Sequence, residues 1–227
     1  DTTLGMSIST YTGTGANATV GHGLGVAPEM ILIKGVESLS TGAGWVVYHV
    51  GYGATGSGRL NTTAAFSADS TMLNDTAPTS SVFSLGSAAK PNESSKDYVA
   101  YCFAPSQFIS IGSYTGNGNA NGAFVPILNS LGVPIQPSFF MMKASSRTSP
   151  WTIYDTSRLP YNVNTEALEA NTTTAEQTHG AAILDFDTGG MKMRGTSYYL
   201  NQNAATYVYL AIGTPIIDTD GRIIGGF

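Results

Sequence analysis

The chain is written twice. Tyr11-Thr12-Gly13-Thr14-Gly15 returns as Tyr114-Thr115-Gly116-Asn117-Gly118, and Pro28-Glu29-Met30-Ile31-Leu32-Ile33-Lys34 returns as Pro137-Ser138-Phe139-Phe140-Met141-Met142-Lys143. Trp45-Val46-Val47-Tyr48 returns as Trp151-Thr152-Ile153-Tyr154, Asn61-Thr62-Thr63 as Asn171-Thr172-Thr173, and Tyr98-Val99-Ala100-Tyr101 as Tyr207-Val208-Tyr209-Leu210. The five anchors keep their order at offsets of 103, 109, 106, 110 and 109 residues. Small differences in offset read as insertions and deletions in loops. A repeat of this length must be a structural unit with its own core. The copies run over residues 6–105 and 109–215, with a hinge near Pro105-Ser106-Gln107. The expected domains are therefore 1–105, 106–215 and a short tail, 216–227, whose apolar Ile216-Ile217 and Ile223-Ile224-Gly225-Gly226-Phe227 could dock on a neighbouring subunit.

Each unit reads as β. Met30–Lys34, Trp45–Val50, Ser81–Leu85 and Asp97–Ala104 are short runs rich in β-branched and aromatic residues, separated by Gly, Pro, Asn and Ser. The continuous apolarity after Lys96-Asp97 predicts a central strand buried on both faces. No segment keeps a 3.6-residue apolar period for three turns; Thr165–Gln177 carries at most one helical turn. The fold class that follows is all-β: two tandem, sequence-related β-sandwich units of jelly-roll-like character, with the C-terminal tail.

Composition narrows the function. Only 11% of the residues are charged, against roughly 25% in an average globular chain. Ten Lys and Arg without a basic cluster leave no footprint for nucleic acid. No apolar run approaches the length of a membrane-spanning helix, so no membrane insertion is expected. The single cysteine, Cys102, can form neither an intrachain disulfide nor a cysteine-based metal site, and His22, His49 and His179 make no ligand pair. No metal or other cofactor is expected. Beginning at Asp1 and carrying no signal peptide, the chain is expected to be a processed product or part of a longer polypeptide.

The motifs read more often as architecture than as chemistry. His22, in a Gly-punctuated turn ahead of Pro28, reads as a loop histidine hydrogen-bonded to backbone, and the second copy keeps the turn as Leu131-Gly132-Val133-Pro134 without it. Trp45 and Trp151, repeated on apolar strands, read as core anchors rather than sugar platforms. Five Asn-X-Ser/Thr sequons, at Asn17, Asn61, Asn74, Asn92 and Asn171, follow from composition. Asp185-Phe186-Asp187-Thr188-Gly189-Gly190 and Asp218-Thr219-Asp220-Gly221 lack calcium-loop spacing and read as turns between strands. Neither a nucleophile elbow nor a phosphate loop is present, and no carboxylate pair is marked for acid–base work.

The ordered set Ser9–Gly15, Gly21-His22-Gly23-Leu24-Gly25-Val26-Ala27-Pro28, Trp45–His49, Asn61–Ala65, Asn74–Phe83 and Tyr98–Ala104, continued by Gly112–Gly118 and Trp151–Asp155, resembles a domain of bacteriophage tail-fibre and other distal virion proteins. The resemblance spans residues 6–213. It implies a virion, extracellular location and a role in adhesion, and it transfers no catalytic residue.

The expected function is thus a non-enzymatic distal tail-fibre module that recognises a host cell-surface glycan or protein, self-associates as a homotrimer and contacts other virion tail proteins. A purely structural virion decoration or extracellular filament subunit is the alternative, with a polysaccharide depolymerase behind it. A hydroxyl- and amide-rich surface suits hydrogen bonding to sugars without strong salt sensitivity. The candidate contacts are loop residues without a repeat-matched core role: Tyr52, Tyr161 with Asn162, and Tyr198.

Overall fold

The computed structural model describes residues 1–42, 44–178, 180 and 183–216. His179, Asp218–Gly221 and the tail beyond Ile216 lie outside the described residues. The fold is all-β, and the chain divides into two compact units after Ala104.

The first unit runs β1 (Met6–Thr12), β2 (Ala18–Gly21), β3 (Met30–Gly35), β4 (Trp45–His49), β5 (Gly56–Arg59), β6 (Ser67–Ala68), α1 (Ser70–Leu73), β7 (Val82–Leu85), α2 (Ala89–Asn92) and β8 (Asp97–Phe103). Both helices are single turns; α1 begins where Asp69 accepts from the backbone N–H of Thr71. One antiparallel sheet has the order β1-β8-β3-β4-β5-β6, and β2 with β7 forms a second layer. Side chains alternate along the strands, so Ile31, Ile33, Val46, Tyr48, Tyr98, Ala100 and Cys102 meet Phe83 and Leu85 of the second layer in one core. The expectation of a strand buried on both faces at Lys96–Phe103 is corrected. Along β8, Tyr98, Ala100 and Cys102 are buried while Val99, Tyr101 and Phe103 are half-buried, because the β2–β7 layer covers only the former face.

The second unit runs β9 (Ile109–Thr115), β10 (Phe124–Pro126), β11 (Ile135–Ala144), β12 (Thr152–Asp155), β13 (Glu166–Glu169), β14 (Gln177–Thr178), β15 (Leu184–Asp187), β16 (Gly190–Met193) and β17 (Thr206–Pro215). Its large sheet has the order β9-β17-β11-β12-β13-β14, the same succession as in the first unit, and β10-β16-β15 forms its second layer. Phe140, Met142, Tyr154, Tyr207 and Tyr209 pack there against Leu184, Phe186, Met191 and Met193. The helical turn expected within Thr165–Gln177 is instead a strand and a turn: Glu166–Glu169 pairs with β12 and β14, and sheet pairing overrides the helix preference of Glu, Ala and Leu. Asp185–Gly190 is a hairpin turn, closed by Thr188-Gly189 with Gly189 at φ +76°.

Neither tryptophan belongs to its unit's main apolar cluster. Trp45 sits in register with Lys34, on the sheet face opposite the core, and packs on Tyr101 at 6.0 Å. Trp45 is half-buried on the face away from the core, so the expectation of a core anchor is corrected for Trp45, whereas Trp151 is fully buried as expected.

Candidate functional site

The repeated Tyr-Thr-Gly segment does structural work. Tyr11 stacks on Tyr98 at 5.1 Å and Tyr114 on Tyr207 at 5.0 Å, both nearly parallel. Tyr11 donates its hydroxyl to the Pro91 carbonyl and Tyr114 to that of Leu200, each at 2.6 Å. The next residue in each copy is a fully buried asparagine. Asn92 accepts from the Thr14 N–H at 2.8 Å and donates to the Ala16 and Gly86 carbonyls at 2.7 Å each. Asn201 accepts from the Asn117 N–H and donates to Asn117 Oδ1 and to the Asn119 and Gly195 carbonyls. Each asparagine thus closes a loop whose own backbone has no strand partner. Gly13 and Gly116 are required because a Cβ there would stand 2.2 and 2.3 Å from the Glu93 and Gln202 carbonyl oxygens.

Other motifs are used in the same way. Asn61 accepts from the Trp45 N–H at 2.9 Å, and Asn171 from the Trp151 N–H at 2.7 Å. Buried His22 accepts from the Leu24 N–H on Nδ1, which leaves its Nε2–H to donate to the Thr79 carbonyl at 3.0 Å. The sequon asparagine Asn92 has no exposure at all.

The sequence-predicted contact residues are dispersed. Tyr52 packs on Phe66 at 5.1 Å and against Gly56. Tyr161 is 74% exposed. Asn162 brackets the backbone of Phe186, accepting from its N–H at 2.9 Å and donating to its carbonyl at 3.3 Å, so its amide is already engaged. Tyr198 stacks on Tyr199 at 4.3 Å, lies under the Arg147 guanidinium at 5.2 Å and accepts from the Tyr207 hydroxyl on its carbonyl. Tyr161 follows the Asp155 end of β12, which faces Phe139, whereas Tyr198 sits by the start of β17, which faces Ala144. Among the described residues no hydrogen bond or ring contact joins Tyr161 to Tyr198.

A shallow open groove of about 430 Å³ lies instead in the first unit, lined by Thr10, Tyr11, Thr12, Val36, Asp97 and Tyr98. Thr12 and Asp97 are paired across β1 and β8, and the Val36 N–H donates to the Asp97 carbonyl. The Thr12 hydroxyl donates to Asp97 Oδ1 at 2.8 Å. Thr10, Thr12, Val36 and Asp97 are exposed, so the groove offers an oriented carboxylate, two hydroxyls and one apolar side chain to solvent. Beside it Lys96 pairs with Glu37 at 3.1 Å, which keeps the rim close to neutral. At the matching positions the second unit has Thr115 and Thr206 and no carboxylate.

The sequence family described as a domain of unknown function, DUF7483, matches residues 1–214. The chain belongs to this family. No curated protein and no solved structure matches it.

In this DUF7483 chain the groove was missed by sequence reasoning because its residues are separated by up to 88 positions and meet only through the pairing of β8 with β1 and β3. The clamp left a readable trace: Pro91-Asn92-Glu93 and Leu200-Asn201-Gln202 stand 109 residues apart, the offset that also relates Tyr98 to Tyr207. Among the described residues no group of three or more His, Cys, Asp or Glu could hold a metal ion. No described helix is long and apolar enough to cross a membrane.

Proposed function

We propose that this chain is a non-enzymatic, extracellular module of a tailed-phage fibre that attaches the virion to a host-surface glycan through the groove of the first unit. The observation that carries the reading is the Thr10–Thr12–Asp97–Val36 constellation. A carboxylate held from one side by a threonine hydroxyl keeps lone pairs free for the vicinal hydroxyls of a sugar, and Val36 offers an apolar surface to its C–H face. The resemblance to distal virion proteins and the low charge of the chain support the same reading. Loops locked by buried asparagines suit a particle that must keep its shape outside a cell.

The test is a glycan array probed with the purified chain, followed by competition of the chain with phage for adsorption to cells. Asp97→Ala is expected to weaken the selected glycan at least tenfold at unchanged melting temperature. Full binding by a folded Asp97→Ala variant overturns the groove as the site.

A further inference from the structure

The second layer of the second unit has one strand more than that of the first, where β2 and β7 stand alone and their outer residues Thr19, Gly21, Val82 and Ser84 carry no charge. In the second unit β10, β16 and β15 lie side by side, and register fixes what their outer face carries. Val125, Met191, Met193, Leu184 and Phe186 belong to the core. Alternation therefore sets Phe124, Lys192, Asp185 and Asp187 on the opposite face, with Phe124 across from Lys192 and Lys192 across from Asp185. The Arg194 N–H donates to the Ile183 carbonyl, which continues the ladder and puts Arg194 on the same face, diagonal to Asp185.

The Phe124 ring lies over Gly190, since a Cβ there would stand 2.4 Å from Phe124 Cζ. One side of the ring is thus backed by the middle strand, while the residue stays 48% exposed. Asp185, by contrast, is buried on this open face. Arg194 Nε donates to its Oδ2, and its Oδ1 is enclosed and has no hydrogen-bond partner. The Arg194 side chain is 43% exposed, and among the described residues no acceptor meets its two Nη groups. Asp187 Oδ1 accepts from Asn162 Nδ2 at 3.4 Å, and Lys192 Nζ donates to the Gly122 carbonyl at 2.6 Å. Two carboxylates and two cations leave the face neutral.

We propose that this face is a second carbohydrate site, built for a neutral pyranose. The exposed side of the Phe124 ring is a platform for the C–H face of the sugar. A sugar stacked there over Gly190 reaches the next strand, about 4.8 Å away, where Asp185 and Asp187 stand. One of its hydroxyls donates to Asp185 Oδ1 and accepts from an Nη of Arg194, which satisfies both groups at once. A hydroxyl is suited to this because the same atom donates and accepts. A carboxylate or phosphate would meet the bare Oδ1 with like charge, and an ammonium would meet the guanidinium. A second hydroxyl donates to Asp187 Oδ2. The site is separate from the groove of the first unit and does not depend on it.

The test is titration of the full, isotope-labelled chain with the methyl glycosides of glucose, galactose, mannose and N-acetylglucosamine. The signals followed are the backbone amides of Asp185, Gly190 and Lys192 and the Arg194 Nε–H. At least one glycoside is expected to shift them with a Kd on the order of 1 mM, as suits a ligand of that size. Phe124→Ala is expected to weaken binding about tenfold and Phe124→Tyr to keep it. Arg194→Lys, which keeps the charge and loses the Nη donors, is expected to weaken it about tenfold at unchanged melting temperature. Asp97→Ala is expected to leave these shifts as in wild type, so failure of the groove and failure of this face read out separately. The proposal is overturned if no neutral glycoside moves the signals up to about 50 mM, roughly fifty times that Kd. It is also overturned if a folded Phe124→Ala or Arg194→Lys chain binds as wild type, or if methyl glucuronide or inorganic sulfate binds more tightly than the neutral sugars, which makes the face an anion site.

Discussion

Replacing Asn92 by alanine removes the clamp of the first unit and nothing else in its core. The side chain has no exposure and makes three short hydrogen bonds, from the Thr14 N–H and to the Ala16 and Gly86 carbonyls. The bond to Gly86 is buried, so its carbonyl is orphaned at about 1–3 kcal/mol. Thr14 and Ala16 are exposed and can recover water, so their bonds are worth about 1 kcal/mol each. The sum is about 3–5 kcal/mol. For a unit of roughly 100 residues, even 3 kcal/mol lowers Tm by roughly 12–24 °C. Cys102 supplies the assay. It is fully buried in the same unit, and burial pushes its thiol up to about 12, so a thiol reagent reaches it only when the unit opens. A loss of 3 kcal/mol raises the labelling rate under native conditions by roughly 150-fold. Asn92→Asp, which keeps the acceptor but sets a carboxylate against two carbonyls, is expected to cost at least as much. An Asn92→Ala chain labelled less than about fivefold faster than wild type, a difference of roughly 1 kcal/mol, would refute the clamp.

Gly13→Ala is expected to destabilise by about 3 kcal/mol or more, since its Cβ collides with backbone, whereas Gly23→Ala, with φ +71° and open space, costs about 1–2 kcal/mol; urea unfolding separates them. Tyr161→Ala is expected to leave the urea midpoint unchanged because the ring is 74% exposed, while Asn162→Ala lowers it by releasing the Phe186 backbone. Stability is expected to rise from pH 8 towards roughly pH 9: burial lowers the Lys143 ammonium from 10.5 to about 8, so over that range the unfolded chain binds more protons than the folded one. The rise then levels off and turns into a fall, because Cys102 from roughly pH 9 and Tyr11, Tyr114 and Tyr154 from roughly pH 10 stay protonated when folded and ionise when unfolded. Urea midpoints measured across this range should lose the rising limb in Lys143→Met.

Short apolar runs at Met30–Lys34 and Asp97–Ala104, bounded by glycine, proline and polar residues, made the strands legible, because such runs are a local property of the chain. The break after Ala104 lies one residue from the expected boundary, since the repeat marks where one set of anchors ends. Single-turn helices at Ser70–Leu73 and Ala89–Asn92 were not legible. Four residues carry no periodic signal, and both turns are tied to segments outside themselves, α1 by the Gly86 N–H on the Met72 carbonyl and α2 by Tyr98 on the Ala89 carbonyl. The contact residues Tyr52, Tyr161, Asn162 and Tyr198 were chosen for lacking a repeat partner. That criterion ignored local packing, which engages Tyr52, Asn162 and Tyr198 within the fold.

By itself the sequence determined the all-β class and the positions of the turns, because alternation, glycine placement and repetition act over a few residues. It also determined the absence of a basic surface, since charge is a sum over the chain. Tertiary structure alone decided which strands are neighbours. Pairing β8 between β1 and β3 brings Asp97 beside Thr12 and beside the Val36 N–H. Register is a long-range choice made by the burial of a whole face, so the groove is not written in any single stretch of residues.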